Sequence, residues 1–195
     1  MIHGVYGLYA IYRHNHVSTM LNALAKKGLS TWEFYYPKFF VLDTYNMGLV
    51  SVSATKLKEI LKDGDSIVSH SFGGAIVYEL LRLLETSGST VKLHNIYLFN
   101  IALDKFLEVP TANCNHVYNF YDPSDKLLAL AELLPFDLMG EFGKHPYFKM
   151  DDRKVTNVEI DNALPTTITN HARAFNEPGL SIYSKYIAEK EDRNA

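Results

Sequence analysis

The chain has 195 residues, of which 47% are apolar and 21% are charged, an ordinary composition for a globular protein. Its net charge of −3 lacks the basic excess of a nucleic-acid-binding domain, and no apolar run reaches the roughly 18 residues of a membrane span. The single Cys114 excludes an intramolecular disulfide and most cysteine-based zinc sites. We see no signal peptide or interdomain linker, so we expect one cytoplasmic domain over residues 1–195.

The first third of the chain alternates short apolar segments with segments of helical period. In order, we predict a very short strand before His3-Gly4, a helix over 17–27 stopped by Gly28, a strand over 31–36, an irregular apolar connection over 39–50 and a helix over 51–62. The inward positions of the two helices are predicted to be Leu21, Leu24 and Ala25 in the first, and Val52, Leu57, Ile60 and Leu61 in the second.

The remaining segments continue the alternation. We predict a strand at Ile67-Val68, a helix that follows Ser71 and runs to about Glu85, a strand within 91–102, a loop over 104–110 and a strand over 117–121. Then come a helix over 124–134, a long connection over 136–150, a strand over 155–160, a loop over 161–170 and a helix over 180–189. This order predicts an α/β fold, with a mostly parallel sheet of about six strands and helices on both faces. Ligands bind such sheets at the carboxyl ends of the strands.

The turn Ser69-His70-Ser71-Phe72-Gly73 joins the strand at Ile67-Val68 to a helix with Ile76, Val77, Leu80, Leu81 and Leu84 on one face. A serine at the apex of such a turn exposes its hydroxyl at the end of the sheet. The N–H of Phe72, at the helix N-terminus, would then face an oxyanion. Gly73 and Gly74 would keep the turn clear of side chains and let the helix pack tightly against its strand. We therefore predict Ser71 as a nucleophile and Phe72 as an oxyanion donor.

This turn resembles the G-x-S-x-G elbow of the α/β-hydrolase superfamily, with Ser69 in place of the first glycine. In that family a His-Gly pair ends an early strand, and the next residue supplies a second oxyanion N–H. The resemblance at His3-Gly4 assigns that role to Val5. The resemblance covers most of the chain and implies a compact, lipase- or esterase-like serine hydrolase.

A serine hydroxyl needs a base to take its proton, and an acid to orient that base. The family order of serine, acid and histidine points to Asp122 or Asp125, which follow the strand over 117–121. The family pattern of an acid followed by a basic residue and an apolar pair favours Asp125. Asp122 is better suited to capping the turn at Pro123, and both could merely cap.

The base is predicted to be His171, which follows the last strand and precedes the final helix, where the family keeps its catalytic histidine. Asn170 replaces the glycine that usually precedes it, and asparagine tolerates unusual backbone angles. His145 is the weaker candidate. His70 fills the variable position of the elbow, and surface or structural roles are expected of His14, His16, His94 and His116.

These residues predict a serine hydrolase that cleaves a carboxylic ester or thioester through an acyl-enzyme, without a metal or organic cofactor. The expected partner is a small-molecule substrate with an apolar acyl or aryl part, held under the segments 39–50 and 136–150. An amidase or acyltransferase with the same triad, or a non-catalytic binding protein of the same fold, remains an alternative. The sequence leaves the oligomeric state open.

Overall fold

Strands and helices alternate along the chain. The computed structural model describes residues 2–5, 16–34, 47–103, 107–131, 142–147 and 153–192. The strands are β1 (Ile2–Val5), β2 (Thr31–Phe34), β3 (Ser66–His70), β4 (Leu93–Phe99), β5 (Cys114–Tyr121) and β6 (Val155–Glu159). The helices are α1 (His16–Ala25), α2 (Met47–Ile60), α3 (Gly73–Thr86), α4 (Lys126–Ala131) and α5 (Gly179–Asp192), with 3₁₀ turns at Phe142–Lys144 and Arg173–Phe175.

The strands form one sheet in the order β2-β1-β3-β4-β5-β6, and every neighbouring pair is parallel. Parallel neighbours need long crossovers, and α1, α2, α3 and α4 lie in four of the five connections, whereas no described helix lies between β4 and β5. The predicted α/β class, with a parallel sheet flanked by helices, is confirmed. No helix within the described ranges is both long and apolar enough to span a membrane.

The direction of the crossovers determines which face each helix covers. The step from β1 to β2 moves one way across the sheet, whereas the steps to β3 and β4 move the other way. Right-handed crossovers therefore place α1 on the face opposite α2 and α3. Helix α5 packs against α1, and α2 packs against α3. The strand order reverses between β1 and β3, so the crevice expected of such sheets opens where these two strands end.

Helix α3 packs tightly beside the sheet. Its residues Ile76, Val77, Leu80, Leu81 and Leu84 are buried, as predicted, and each contributes about 1.5–3 kcal/mol by leaving water. A Cβ at Gly74 would lie 2.5 Å from Cβ of Ile101. A side chain at Gly74 is therefore excluded by the segment that follows β4, and not by β3, the strand against which close packing was predicted.

Aromatic side chains hold α5 on the opposite face. Phe99 and Phe120 stack at 4.1 Å, and Tyr183 of α5 meets both rings edge-on. At the end of α5, the Glu191 carboxylate accepts hydrogen bonds from three buried side chains, Ser66 (3.0 Å), Asn95 (2.9 Å) and Tyr97 (2.6 Å). These contacts fix the helix that follows the His171 segment.

The inward faces predicted for the first two helices are partly wrong. Ala25 of α1 is exposed, and Val17, Met20, Leu21 and Leu24 form the buried face. Helix α2 begins at Met47, inside the predicted connection 39–50, and is buried at Val50, Ser53, Ala54 and Leu57. Val52 and Ile60 are 53% and 43% exposed. The small residues Ser53 and Ala54 belong to the face of α2 that packs towards the core, and a hydrophobic pattern alone does not reveal them.

Other boundaries differ by a few residues. Strand β5 begins at Cys114, and α5 runs from Gly179 to Asp192. The helix predicted over 124–134 is described as α4, which begins at Lys126 because Asp125 caps it. The 3₁₀ turn Phe142–Lys144 falls inside the predicted connection 136–150. Residues 35–46, 104–106, 132–141 and 148–152, which include most of both predicted pocket covers, lie outside the described residues.

Candidate active site

Ser71 lies directly between β3 and α3 and has a φ of +56°, in the left-handed region that non-glycine residues seldom adopt. Its N–H donates to the Phe99 carbonyl at 3.0 Å. Its own carbonyl accepts from the N–H groups of Gly74 (3.0 Å) and Ala102 (3.2 Å). These bonds hold a strained residue in place, and its side chain is half-buried. Strain of this kind is concentrated at functional sites.

The two predicted oxyanion donors lie near the same edge of the sheet. Phe72 is the N-cap residue of α3, and its side chain makes no capping hydrogen bond. Val5 is the last residue of β1 and lies in register between Phe34 and Ser69. The family pattern implied that His3-Gly4 ends the strand. Instead, both residues are paired with β2 and β3, and the strand continues to Val5. The oxyanion roles of Val5 and Phe72 stay predictions.

His171 and Asp125 form a buried pair, with Nδ1 of His171 2.6 Å from Oδ2 of Asp125. A carboxylate can only accept, so Nδ1 carries the imidazole proton and the basic lone pair is on Nε2. That Nε2 is buried and has no hydrogen-bond partner within the described part of the chain. The pair therefore offers an oriented imidazole with a free lone pair, which is the form that a general base requires.

The other bonds of Asp125 explain how it is held. Its Oδ1 accepts from the N–H groups of Leu127 (2.9 Å) and Leu128 (3.0 Å), which makes it the N-cap of α4. Its Oδ2 also accepts from Nδ2 of Asn100 at 2.9 Å. The two roles that the sequence left as alternatives, capping and orienting a histidine, thus coexist in one carboxylate. Sequence reasoning did not identify Asn100, which follows β4 with a φ of +44°.

Asp122 has a different partner. Its Oδ1 accepts from the N–H (2.9 Å) and the hydroxyl (2.6 Å) of Ser124, which closes the turn at Pro123 as predicted. Arg173 donates from Nη2 to the same oxygen at 2.9 Å, and its Nε forms an ion-pair contact of 2.6 Å with Oδ2. Both charged groups are buried. Asp122 is therefore paired with Arg173 and not with His171.

Four contacts join the segment 122–126 to the segment 169–173, and we call this set the loop brace. It comprises the Asp122–Arg173 ion pair, the Asp125–His171 hydrogen bond, the Asn170 Nδ2 bond to Ser124 Oγ (3.0 Å) and the Lys126 N–H bond to the Thr169 carbonyl (2.9 Å). Asn170 has a φ of +60° and bonds Thr167 through its side chain. The brace holds the segment 122–126, which we call the acid loop, and the segment 169–173, which we call the histidine loop, together as one unit.

His70 links Ser71 to the histidine loop. Its Nε2 lies 2.9 Å from the backbone carbonyl oxygen of His171, and the two rings are 4.6 Å apart. Burial lowers the pKa of His70 well below its usual value, and the nearby His171 adds to this effect. His16, whose ring is 5.7 Å from that of His70, has its pKa lowered to about 4, mainly by burial. The sequence predicts neither the His70–His171 contact nor the His16–His70 contact, because each joins residues that are distant in sequence.

His145 and His116 have partners other than Asp125. The carbonyl of His145 accepts from Nδ2 of Asn119 at 3.1 Å, and it is His171 that bonds Asp125. His116 bonds Thr156 at 2.7 Å, which agrees with a structural role. His14 and the side chain of His3 lie outside the described residues.

Across the described ranges, no three His, Cys, Asp or Glu side chains are grouped so that they could hold a metal ion. No protein-family model matches the chain, and no curated protein is significantly similar to it. The site is therefore defined by the bonded Asp125–His171 pair and the strained Ser71 turn, and among the described residues no hydrogen bond joins Ser71 to Nε2 of His171.

Proposed function

We propose that this chain is a serine hydrolase with a compact α/β-hydrolase fold, acting on a carboxylic ester or thioester. The main support is the buried Asp125–His171 pair, which leaves Nε2 of His171 free of any partner among the described residues. The strained Ser71 turn supports the same proposal, because the residue next to Ser71 contacts the His171 ring. We also propose a cytoplasmic location and a substrate with an apolar acyl or aryl part.

In the proposed mechanism, Nε2 of His171 takes the Ser71 hydroxyl proton while Oγ attacks the substrate carbonyl carbon. The N–H groups of Val5 and Phe72 would hold the resulting oxyanion, an effect worth about 3–4 kcal/mol per donor in comparable sites. The leaving alcohol or thiol takes the proton from His171. Water, deprotonated by the same nitrogen, then attacks the acyl-enzyme and releases the acid. Asp125 keeps the proton on Nδ1 and stabilises the imidazolium.

Hydrolysis of p-nitrophenyl esters of increasing acyl length tests the proposal. We expect Ser71→Ala and His171→Ala to lower kcat by at least about a thousandfold, because each removes a reacting group. His145→Ala is the matched control and should retain most of the wild-type activity. Activity lost in His145→Ala but kept in His171→Ala would show that the base is assigned wrongly.

The same three residues would also serve an amidase or an acyltransferase. Adding a p-nitroanilide and an acceptor alcohol to the substrate panel separates these reactions from ester hydrolysis. If the folded wild-type protein turns over none of these compounds, a non-catalytic binding protein becomes the better interpretation.

A further inference from the structure

His70 is the last residue of β3, directly before Ser71, and is almost fully buried. Its Nε2 lies 2.9 Å from the backbone carbonyl oxygen of His171. A carbonyl oxygen can only accept a hydrogen bond, so Nε2 of His70 must carry a proton. This bond joins the residue before Ser71 directly to the main chain of His171.

The His70 ring also packs against the segment that follows His171. Its centroid is 4.6 Å from that of His171 and 4.8 Å from that of Phe175. Phe175 in turn meets Phe99 of β4 edge-on at 5.1 Å. The imidazole is therefore enclosed by the histidine loop and the sheet, and has little freedom to rotate.

The surroundings of His70 also favour its neutral form. Burial lowers its pKa, and the neighbouring rings of His171 and His16 lower it further. A cation at this position would repel the imidazolium that forms on His171 when it takes a proton. A neutral His70 holds the carbonyl without opposing that step.

We propose that His70 is a positioning residue for the base, and that its Nε2–H bond to the His171 carbonyl fixes the main chain that carries the His171 imidazole beside the Ser71 turn. This inference rests on the proposed function. The connection is short, because His70 is bonded covalently to Ser71 and by a single hydrogen bond to the main chain of His171. A displacement of about 1 Å between reacting groups can cost a hundredfold in rate.

Two substitutions separate the hydrogen bond from the packing of the ring. His70→Gln places an amide N–H near the position of Nε2 and removes the ring, whereas His70→Phe keeps the ring and removes the donor. The readout is the second-order rate constant for labelling of Ser71 by a fluorophosphonate, measured on protein shown to be folded by circular dichroism. We expect His70→Gln to label close to the wild-type rate and His70→Phe to label about ten- to a hundredfold more slowly.

A role in packing alone predicts the opposite order, with His70→Phe active and His70→Gln impaired. That order, equal rates in all three proteins, or loss of labelling in both folded variants would each overturn the proposal. The ring nitrogens of wild-type His70 provide a second test by ¹⁵N NMR, which needs no variant to fold. We expect the tautomer protonated on Nε2, and the tautomer protonated on Nδ1 would refute the hydrogen bond. If the wild type does not label at all, the proposed function fails, while the NMR result still tests the bond itself.

Discussion

Three non-glycine residues in the described part of the chain have positive φ, and all three belong to the candidate site. Ser71 is the proposed nucleophile, Asn100 donates to Asp125, and Asn170 directly precedes His171. Left-handed backbone costs about 1–2 kcal/mol in most residues, and less in asparagine. The coincidence of this strain with a buried carboxylate–imidazole pair is a physical reason to place function here.

Two substitutions of Asn100 test its hydrogen bond to the Asp125 carboxylate. Asn100→Gly removes the Nδ2 donor to Asp125 while accepting the positive φ, and Asn100→Ala removes the donor and adds backbone strain. A hydrogen bond to a charged group contributes about 1.5–3 kcal/mol. We therefore expect both variants to lower kcat/KM for ester hydrolysis by roughly tenfold or more, since Asp125 is held less firmly.

The two Asn100 variants should differ in stability. We expect the free energy of unfolding of Asn100→Ala, measured in urea, to be about 1 kcal/mol lower than that of Asn100→Gly, because only alanine is strained at a φ of +44°. Wild-type kcat/KM in both variants would show that Asn100 does not help to position Asp125.

The loop brace connects the loops that follow β5 and β6. The Asp122–Arg173 pair is its buried, fully charged component. Breaking a buried ion pair by removing one partner costs about 3–5 kcal/mol, because the other charge is left unpaired. Removing both charges together is far less costly.

We expect Asp122→Asn and Arg173→Met each to lower the free energy of unfolding by about 3–5 kcal/mol in urea denaturation. Asn keeps the acceptor for Ser124, so the Asp122→Asn variant changes the charge and leaves the turn intact. The double variant should lose much less than the sum of the two single losses. Strictly additive losses would show that the two residues do not act as a pair.

The sequence predicted the parts of this architecture that local pattern encodes. The buried face of α3, for example, follows the helical period. The family resemblance, and not a local period, favoured Asp125 and His171; these two residues are bonded to each other, and their catalytic roles stay predictions. The bonds of Asn100 to Asp125 and of His70 to His171 span 25 and 101 residues. The hydrophobic period of a single segment does not predict such contacts, because they form only when the sheet brings the ends of separate strands together.

The partly buried His16 makes the stability of the whole molecule depend on pH. The folded His16 has a pKa of about 4, against 6.5 in the unfolded chain. Between these values the unfolded state binds more protons than the folded state, so the free energy of unfolding falls as the pH is lowered from about 6.5 to about 4. Each additional proton contributes at most about 1.4 kcal/mol per pH unit.

His16→Gln, which cannot titrate, tests this dependence by urea denaturation between pH 8 and pH 4. We expect the wild type to lose stability relative to the variant as the pH falls through this range, and the difference to stay constant above about pH 7. A difference that is constant at all pH values would show that His16 has the same pKa in the folded and unfolded states.

The proposed function requires that the Asp125–His171 pair activates Ser71. The most direct measurement is labelling of the folded protein with a fluorophosphonate, with the modified residue located by mass spectrometry and Ser71→Ala treated in parallel. We predict a single covalent adduct on Ser71 in the wild type, none in Ser71→Ala, and greatly slowed labelling in His171→Ala. An adduct on another residue, or no adduct on folded wild-type protein, would contradict the account.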